Sequence, residues 1–265
     1  MSLAFTVRDS TTMLRRQLLH VKRYPSLTIM LLAQPILFLL LFVYVFGGTL
    51  GAGLPGTNGS TGTRADYLVY ITPGILIMTV ASVALGTAIS VAMDMTGGII
   101  ARFRTMDIAR VSVLTGHVLG AVLKTALALA VVIGFAFLLG FRSDAGPLEW
   151  LAAVGMLVLL ALALTWLTVG MGLAADSVET ASNTPLFLII LPFVSSGFVP
   201  TDAMPAGLRQ FAEYQPFTPV IETIRALTTG AAPGGDAWAA LGWCVVIALA
   251  GYLWSRRLFL RVPAK

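Results

Sequence analysis

Residues 67–93 contain no charged side chain, and five other stretches of this chain come close to matching them. A run of about 20 mostly apolar residues is what a helix needs to cross the hydrocarbon core of a bilayer. In that core every backbone N–H and C=O must find its partner within the segment, so runs of this length are read as helices. The candidate spans are 26–46, with Pro35 as a kink; 67–93; 118–141, with one charge, Lys124; 150–175; 183–199, carrying Pro185 and Pro192; and 237–255, ending just before Arg256-Arg257. Only 11% of the 265 residues are charged, and 57% are hydrophobic. Soluble domains carry roughly 25% charged residues, so this chain lacks the means to cover a water-facing surface. The expected fold is an all-α polytopic membrane protein, one transmembrane domain over residues 1–265.

Orientation follows from lysine and arginine, which accumulate in cytoplasmic loops. With both termini inside, thirteen of the 17 basic residues fall on the inner side, counting Lys124 near the inner end of its span. Arg64, Arg142, Arg209 and Arg225 are left outside. The net charge of +5 thus describes topology and contact with an anionic inner leaflet, and no nucleic-acid partner is expected. The location is the cell membrane. Arg8, Asp9, Arg15 and Arg16 interrupt the N-terminus before any long apolar run, so no cleavable leader is expected.

Lys124 is the one charge within a span. A lysine at a span centre costs about 3 kcal/mol, which the apolar neighbours offset. Its stem can snorkel to the inner interface, or its ammonium can face a polar cavity. Among the inner segments, 2–24 places Arg8, Arg15, Arg16, Lys22 and Arg23 in one helical arc beside Val7, Leu14, Leu18 and Val21. That pattern suits an interfacial helix, serving as an anchor or as an elbow against a cytoplasmic partner. The longest inner loop mixes Arg102, Arg104, Asp107 and Arg110 with Ile99, Ile100, Phe103 and Ile108 after Gly97-Gly98. It either dips into the interface or docks on another protein, with a short helix over 99–110. Asp94 and Asp176 sit at inner span ends, where helix termination accounts for them.

Outside, the Gly/Thr/Ser-rich segment 47–66 reads as a loop. The fifth apolar run ends differently, on Pro192, Ser195-Ser196-Gly197 and Pro200. Two short amphipathic helices follow. The first, over 206–214, has Leu208 and Phe211 on one face. The second has Thr218 as N-cap before Pro219, a stripe of Val220, Ile221, Ile224 and Leu227, a Glu222–Arg225 pair and Gly230 as its stop. Together 200–230 reads as an outer re-entrant hairpin packed against protein. Pro192, Ser195, Ser196, Gly197 and Pro200 then form a hinge, serving as a gate or as a plug over the outer ends.

These features together carry a resemblance. "FRTMDIARVSVLTGHVLG" after the second span, "LPFVSSGFVPTDAMPAGLRQFAEYQPFTPVIETIRALTTG" after the fifth and the basic amphipathic N-terminus resemble the type-2 ABC exporter permease family, in particular its daunorubicin-resistance-type drug exporters. The resemblance implies that 2–24 is a connecting helix, that 94–117 holds a coupling helix on an ATPase, and that Arg102, Arg104, Asp107 and Arg110 contact that ATPase. It also implies a second permease half, identical or a sister, and a separate nucleotide-binding subunit for each half.

A P-loop requires G-x-x-x-x-G-K-[ST]. Of Lys22, Lys124 and Lys265 only Lys124 precedes a threonine, and Leu123 stands where glycine must. No cofactor is expected on this chain; ATP and magnesium belong to the partner, and the chain is no enzyme. The expected function is the permease of an ATP-driven exporter of hydrophobic or amphiphilic compounds, in contact with membrane lipid. A self-sufficient secondary transporter or channel is the alternative. Ion coupling usually leaves acidic residues within spans, and the six spans contain none. His20 and His117 are the only histidines and Cys244 the only cysteine, so neither a metal cluster nor a disulfide within the chain is expected.

Overall fold

The computed structural model describes residues 25–54, 61–97 and 110–261, with side chains for 33–54, 61–97 and 114–260. The expected N-terminal helix 2–24 and the short helix over 99–110 lie outside the described residues, as do Arg102, Arg104 and Asp107.

The described residues are helical almost throughout. Helix α1, Pro25–Leu41, passes through Pro35 and continues as a π-helical turn, Phe42–Phe46, into α2, Gly47–Ala52. The part of the expected outer loop at 47–52 is therefore helix. The chain then closes on itself, with Leu54 donating to Gly51 and Gly62 to Leu54. Helix α3, Arg64–Thr96, starts three residues before the expected span, because Thr63 and Asp66 form a reciprocal capping box that satisfies the first free N–H groups. Helix α4, Arg110–Leu138, takes in residues expected to be loop. Helix α5 is Pro147–Ala174. Helix α10, Asp236–Arg261, carries Arg256 and Arg257 within its last turns.

Among the described residues, five helical stretches are long and apolar enough to cross a membrane: Ala33–Ala52, Arg64–Thr96, Leu114–Leu138, Pro147–Ala174 and Asp236–Leu260. The expected fifth span is not a continuous helix. It is a shorter apolar segment, Val178–Val194, assembled from α6 (Val178–Asn183), a 3₁₀ turn at Thr184–Leu186, α7 (Phe187–Ile190) and a second 3₁₀ turn at Leu191–Val194. The physical reason is proline: Pro185 and Pro192 each sit in the first turn of a 3₁₀ stretch, because a ring nitrogen has no hydrogen to donate to the preceding turn.

Helix α3 is the axis of the bundle. It is buried along most of its length, and its buried serine and threonine hydroxyls are satisfied within the helix: Thr72 donates to Leu68, Thr79 to Ile75, Ser82 to Met78 and Thr87 to Val83. Among lipid-facing helices no hydrophobic force draws one helix to another, and close approach of small residues substitutes for it. A Cβ on Gly172 of α5 would stand 2.6 Å from the Ala88 carbonyl oxygen of α3. A Cβ on Gly251 of α10 would stand 2.6 Å from the Leu167 nitrogen of α5. Ser255 donates to the Trp166 carbonyl at 3.0 Å, and Trp166 meets Tyr252 edge-on. Toward the outside of the bundle, α4 exposes Leu123, Leu127 and Val131, and α10 exposes Val246, Leu249 and Leu253, as a lipid-facing surface requires.

After α7, a 3₁₀ turn at Thr201–Ala203 leads to α8, Ala206–Tyr214, and α9, Phe217–Thr229. Helix α9 is buried through Phe217, Val220, Ile221 and Ile224 and ends on Gly230, whose φ of 76° is the left-handed conformation glycine adopts freely. Helix α8 departs from expectation. Only Ala212 is buried, while Leu208, Phe211 and Tyr214 are exposed, so its apolar edge does not pack against the described residues.

Candidate functional site

Where the apolar segment breaks, the backbone carbonyls of Leu191, Pro192, Val194, Ser196 and Phe198 all accept from side chains. Ser195 donates its own hydroxyl to Pro192. The Gln215 amide donates to Leu191 at 3.2 Å and to Val194 at 2.8 Å. The Tyr70 hydroxyl donates to Ser196 at 2.8 Å, and Tyr67 donates to Phe198 at 3.3 Å. Arg225 adds a second bond to Ser196, at 2.6 Å. The Ser196 N–H in turn donates to the Thr218 hydroxyl, and the Gly197 N–H to Ser195. Backbone polar groups away from water need this degree of satisfaction. The break is thus a clamped turn.

Three elements supply the clamp. Tyr67 and Tyr70 come from the first turns of α3, three residues apart and so on one face. Gln215 comes from the α8–α9 junction. Thr218 and Arg225 come from α9. Arg225 is the busiest member. Its guanidinium donates to the Tyr70 carbonyl, lies 4.0 Å from the centre of the Tyr70 ring and pairs with Glu222. That pair is the one expected from sequence, and the structure adds two partners from distant parts of the chain. Thr218 is not the N-cap of α9. The helix begins at Phe217, and the Thr218 hydroxyl donates to Ala212 instead, tying α9 to α8.

Close backbone approach completes the site. A Cβ on Gly74 would lie 2.7 Å from the Gly197 carbonyl oxygen, so α3 touches the break directly. On the opposite side Phe193 and Phe198 stack at 4.5 Å, and Phe42 of the π-helical turn meets Phe198 at 5.0 Å. Ser143 donates to Thr228 at 2.6 Å and receives the Trp150 indole N–H, which fastens the α4–α5 connection to α9. Of the expected hinge residues, Pro192, Ser195, Ser196 and Gly197 are buried together at this clamp, and Pro200 follows at its rim. The hydroxyl oxygen of Ser196 and the amide oxygen of Gln215 are buried there without a hydrogen-bond partner among the described residues.

Tyr67, Tyr70, Gln215 and the backbone role of Arg225 are absent from the sequence reading. The available signal was the Tyr67–Tyr70 spacing at the start of a span, together with a lone arginine in the apolar α9.

At the other end of α3, Asp94 and His117 form a buried pair, Oδ2 to Nε2 at 3.1 Å. Beside them lies a second, smaller core of Val91, Leu114, Val118, Val169, Leu173 and Phe259. Helix termination does not account for Asp94: α3 runs on to Thr96 and Gly97 caps it, and a carboxylate near a helix C-terminus opposes the helix dipole. Lys124 is half-buried on α4, two turns beyond His117. Arg110 is the first residue of α4.

Residues 9–228 match the family model described as ABC-2 type transporter. The chain is 29% identical over 230 residues to the daunorubicin resistance ABC transporter permease protein DrrB1 of Streptomyces coeruleorubidus, covering 86% of this chain and 78% of that one. It is 28% identical over 180 residues to the probable doxorubicin resistance ABC transporter permease protein DrrC of Mycobacterium tuberculosis, covering 63% of this chain and 65% of that one.

Proposed function

This chain belongs to the ABC-2 type transporter family, and from that premise we propose that it is the transmembrane half of an ATP-driven exporter whose outer gate is the clamp at 191–198. Two such halves, identical or sister chains, pair with two ABC ATPase subunits that hold ATP and magnesium. The cargo is a hydrophobic or amphiphilic compound, a class suggested by the drug-resistance names of the similar permeases and by spans poor in charge.

Segment 178–194 serves as the sixth crossing in this reading. Its ten α-helical and seven 3₁₀ residues follow a path of about 29 Å, because 3₁₀ winding rises faster per residue. That matches a hydrocarbon core of about 30 Å. Gly172 lies beside Ala88 and Gly197 beside Gly74, so the chain returns along about 21 Å of α3. Six crossings put both termini on one side, the cytoplasmic side by the distribution of lysine and arginine. The clamp then lies at the outer end, with α8 and α9 as the re-entrant pair.

The cycle follows. ATP-dependent closure of the partner subunits displaces the segment around Arg102, Arg104, Asp107 and Arg110, with 2–24 as the connecting helix along the inner leaflet. The two halves tilt, and the outer path opens where helical hydrogen bonding is already interrupted. Lys124 either snorkels to the inner interface or faces the path.

The observation that carries the gate is the dependence of the 191–198 backbone on side chains from α3, α9 and the α8–α9 junction. A turn held by side chains opens when those helices separate, without unwinding any of them. In the complex with its ATPase, with Cys244 replaced by Ala, a thiol at Ser196→Cys should react with an impermeant outside reagent during ATP turnover and stay protected without nucleotide. Reaction indifferent to ATP would remove the gate.

A further inference from the structure

The Asp94–His117 pair lies at the opposite end of α3 from the clamp. Both side chains are buried, 11% and 4% exposed respectively. A buried carboxylate is stable only when paired and hydrogen-bonded, so the pair is kept for what it joins. It joins the last turn of α3 to the second turn of α4, the two helices that bracket segment 98–109. Gly97-Gly98 stands inside that bracket in sequence. The small core beside the Asp94–His117 pair draws on α3, α4, α5 and α10, so the joined helix ends are also packed against the remainder of the bundle.

The same helix that carries Asp94 carries Tyr70 of the clamp, 24 residues away, or about 36 Å of straight helix. We infer that Asp94 and His117 are positioning residues for coupling: they hold the ends of α3 and α4 as one rigid body, so that displacement of the connecting segment reaches the clamp through α3. The inference rests on the permease reading and assigns the pair no contact with ATP or cargo.

The test uses the full chain assembled with its ATPase, with Cys244 replaced by Ala. Nitroxide labels on Leu208→Cys and Trp238→Cys, both exposed at the clamp end, report the outer arrangement by electron-spin distance measurement. A non-hydrolysable ATP analogue with magnesium should shift that distance in the otherwise unaltered chain. Asp94→Ala and His117→Leu should lose the shift while the partner still binds and hydrolyses ATP. His117→Gln, whose amide can still donate to Asp94, should recover it. A full shift in Asp94→Ala would overturn the inference and leave the permease reading standing. Absence of a shift in the unaltered chain would overturn both.

A second measurement decides the matter where a single variant does not assemble. A short bifunctional thiol reagent bridging Asp94→Cys and His117→Cys should leave the nucleotide-induced shift intact, because a rigid pair does not open during the cycle. Loss of the shift on bridging would overturn the inference.

Discussion

Arg225 holds Tyr70 twice, by a guanidinium 4.0 Å from the centre of the phenol ring and by a hydrogen bond to that residue's own carbonyl oxygen. Both residues also donate to the carbonyl of Ser196. Three stretches of chain distant in sequence therefore meet on one oxygen. The planar fork of arginine can stack and donate in several directions at once, which a lysine ammonium cannot do.

Arg225→Lys should therefore destabilise the chain even though the charge is kept. A hydrogen bond to a charged group contributes about 1.5–3 kcal/mol and a neutral one about 1 kcal/mol. Tyr70→Phe should thus cost less than Arg225→Lys, and the double variant less than the sum, since the two share an acceptor. Thermal unfolding in detergent checks both the order and the coupling.

Gly74→Ala should be more harmful than its size suggests, because the added methyl meets the Gly197 carbonyl at 2.7 Å. Overpacking of this kind costs about 1–3 kcal/mol. Gly86 lies on the same helix with nothing within 4 Å of an added Cβ. There alanine should be neutral or stabilising by up to about 1 kcal/mol, from helix propensity alone. Melting temperatures of the two variants, side by side, test the contact between α3 and the break.

Replacing Arg102 and Arg104 together by Glu should abolish ATP-driven export while leaving membrane insertion and yield unchanged. Transport by inverted vesicles, set against the amount of chain in the membrane, checks this. Unchanged export in the double variant would remove the coupling role of that segment.

The long spans were legible because a charge at membrane depth is costly and the sequence avoids it over whole runs. Their ends were less so. The capping box at Thr63 and Asp66 was present in sequence as Thr63-Arg64-Ala65-Asp66, but the charges of Arg64 and Asp66 obscured it as the start of a span. The sequence shows the fifth run loosening at Pro192 and breaking at Pro200, but not its winding, because the mixture of α and 3₁₀ turns depends on which side chains meet its carbonyls. Those side chains were the least visible feature. Ser196 and Tyr70 lie 126 residues apart, and Arg225 could be paired from sequence only with its helical neighbour Glu222. Asp94 reads as a helix end in sequence, since its partner His117 lies 23 residues further along the chain. Periodicity reports which face of a helix is apolar. It does not report which distant backbone that face will hold.

The most direct measurement reconstitutes the chain in liposomes alone and with its ABC ATPase subunit, and follows ATP hydrolysis together with movement of a panel of fluorescent hydrophobic and amphiphilic compounds. Alone, the chain should hydrolyse no ATP and drive no accumulation; with the ATPase, accumulation should appear and require ATP and magnesium. ATP turnover by the isolated chain, or accumulation driven by an ion gradient without the ATPase, would contradict the account.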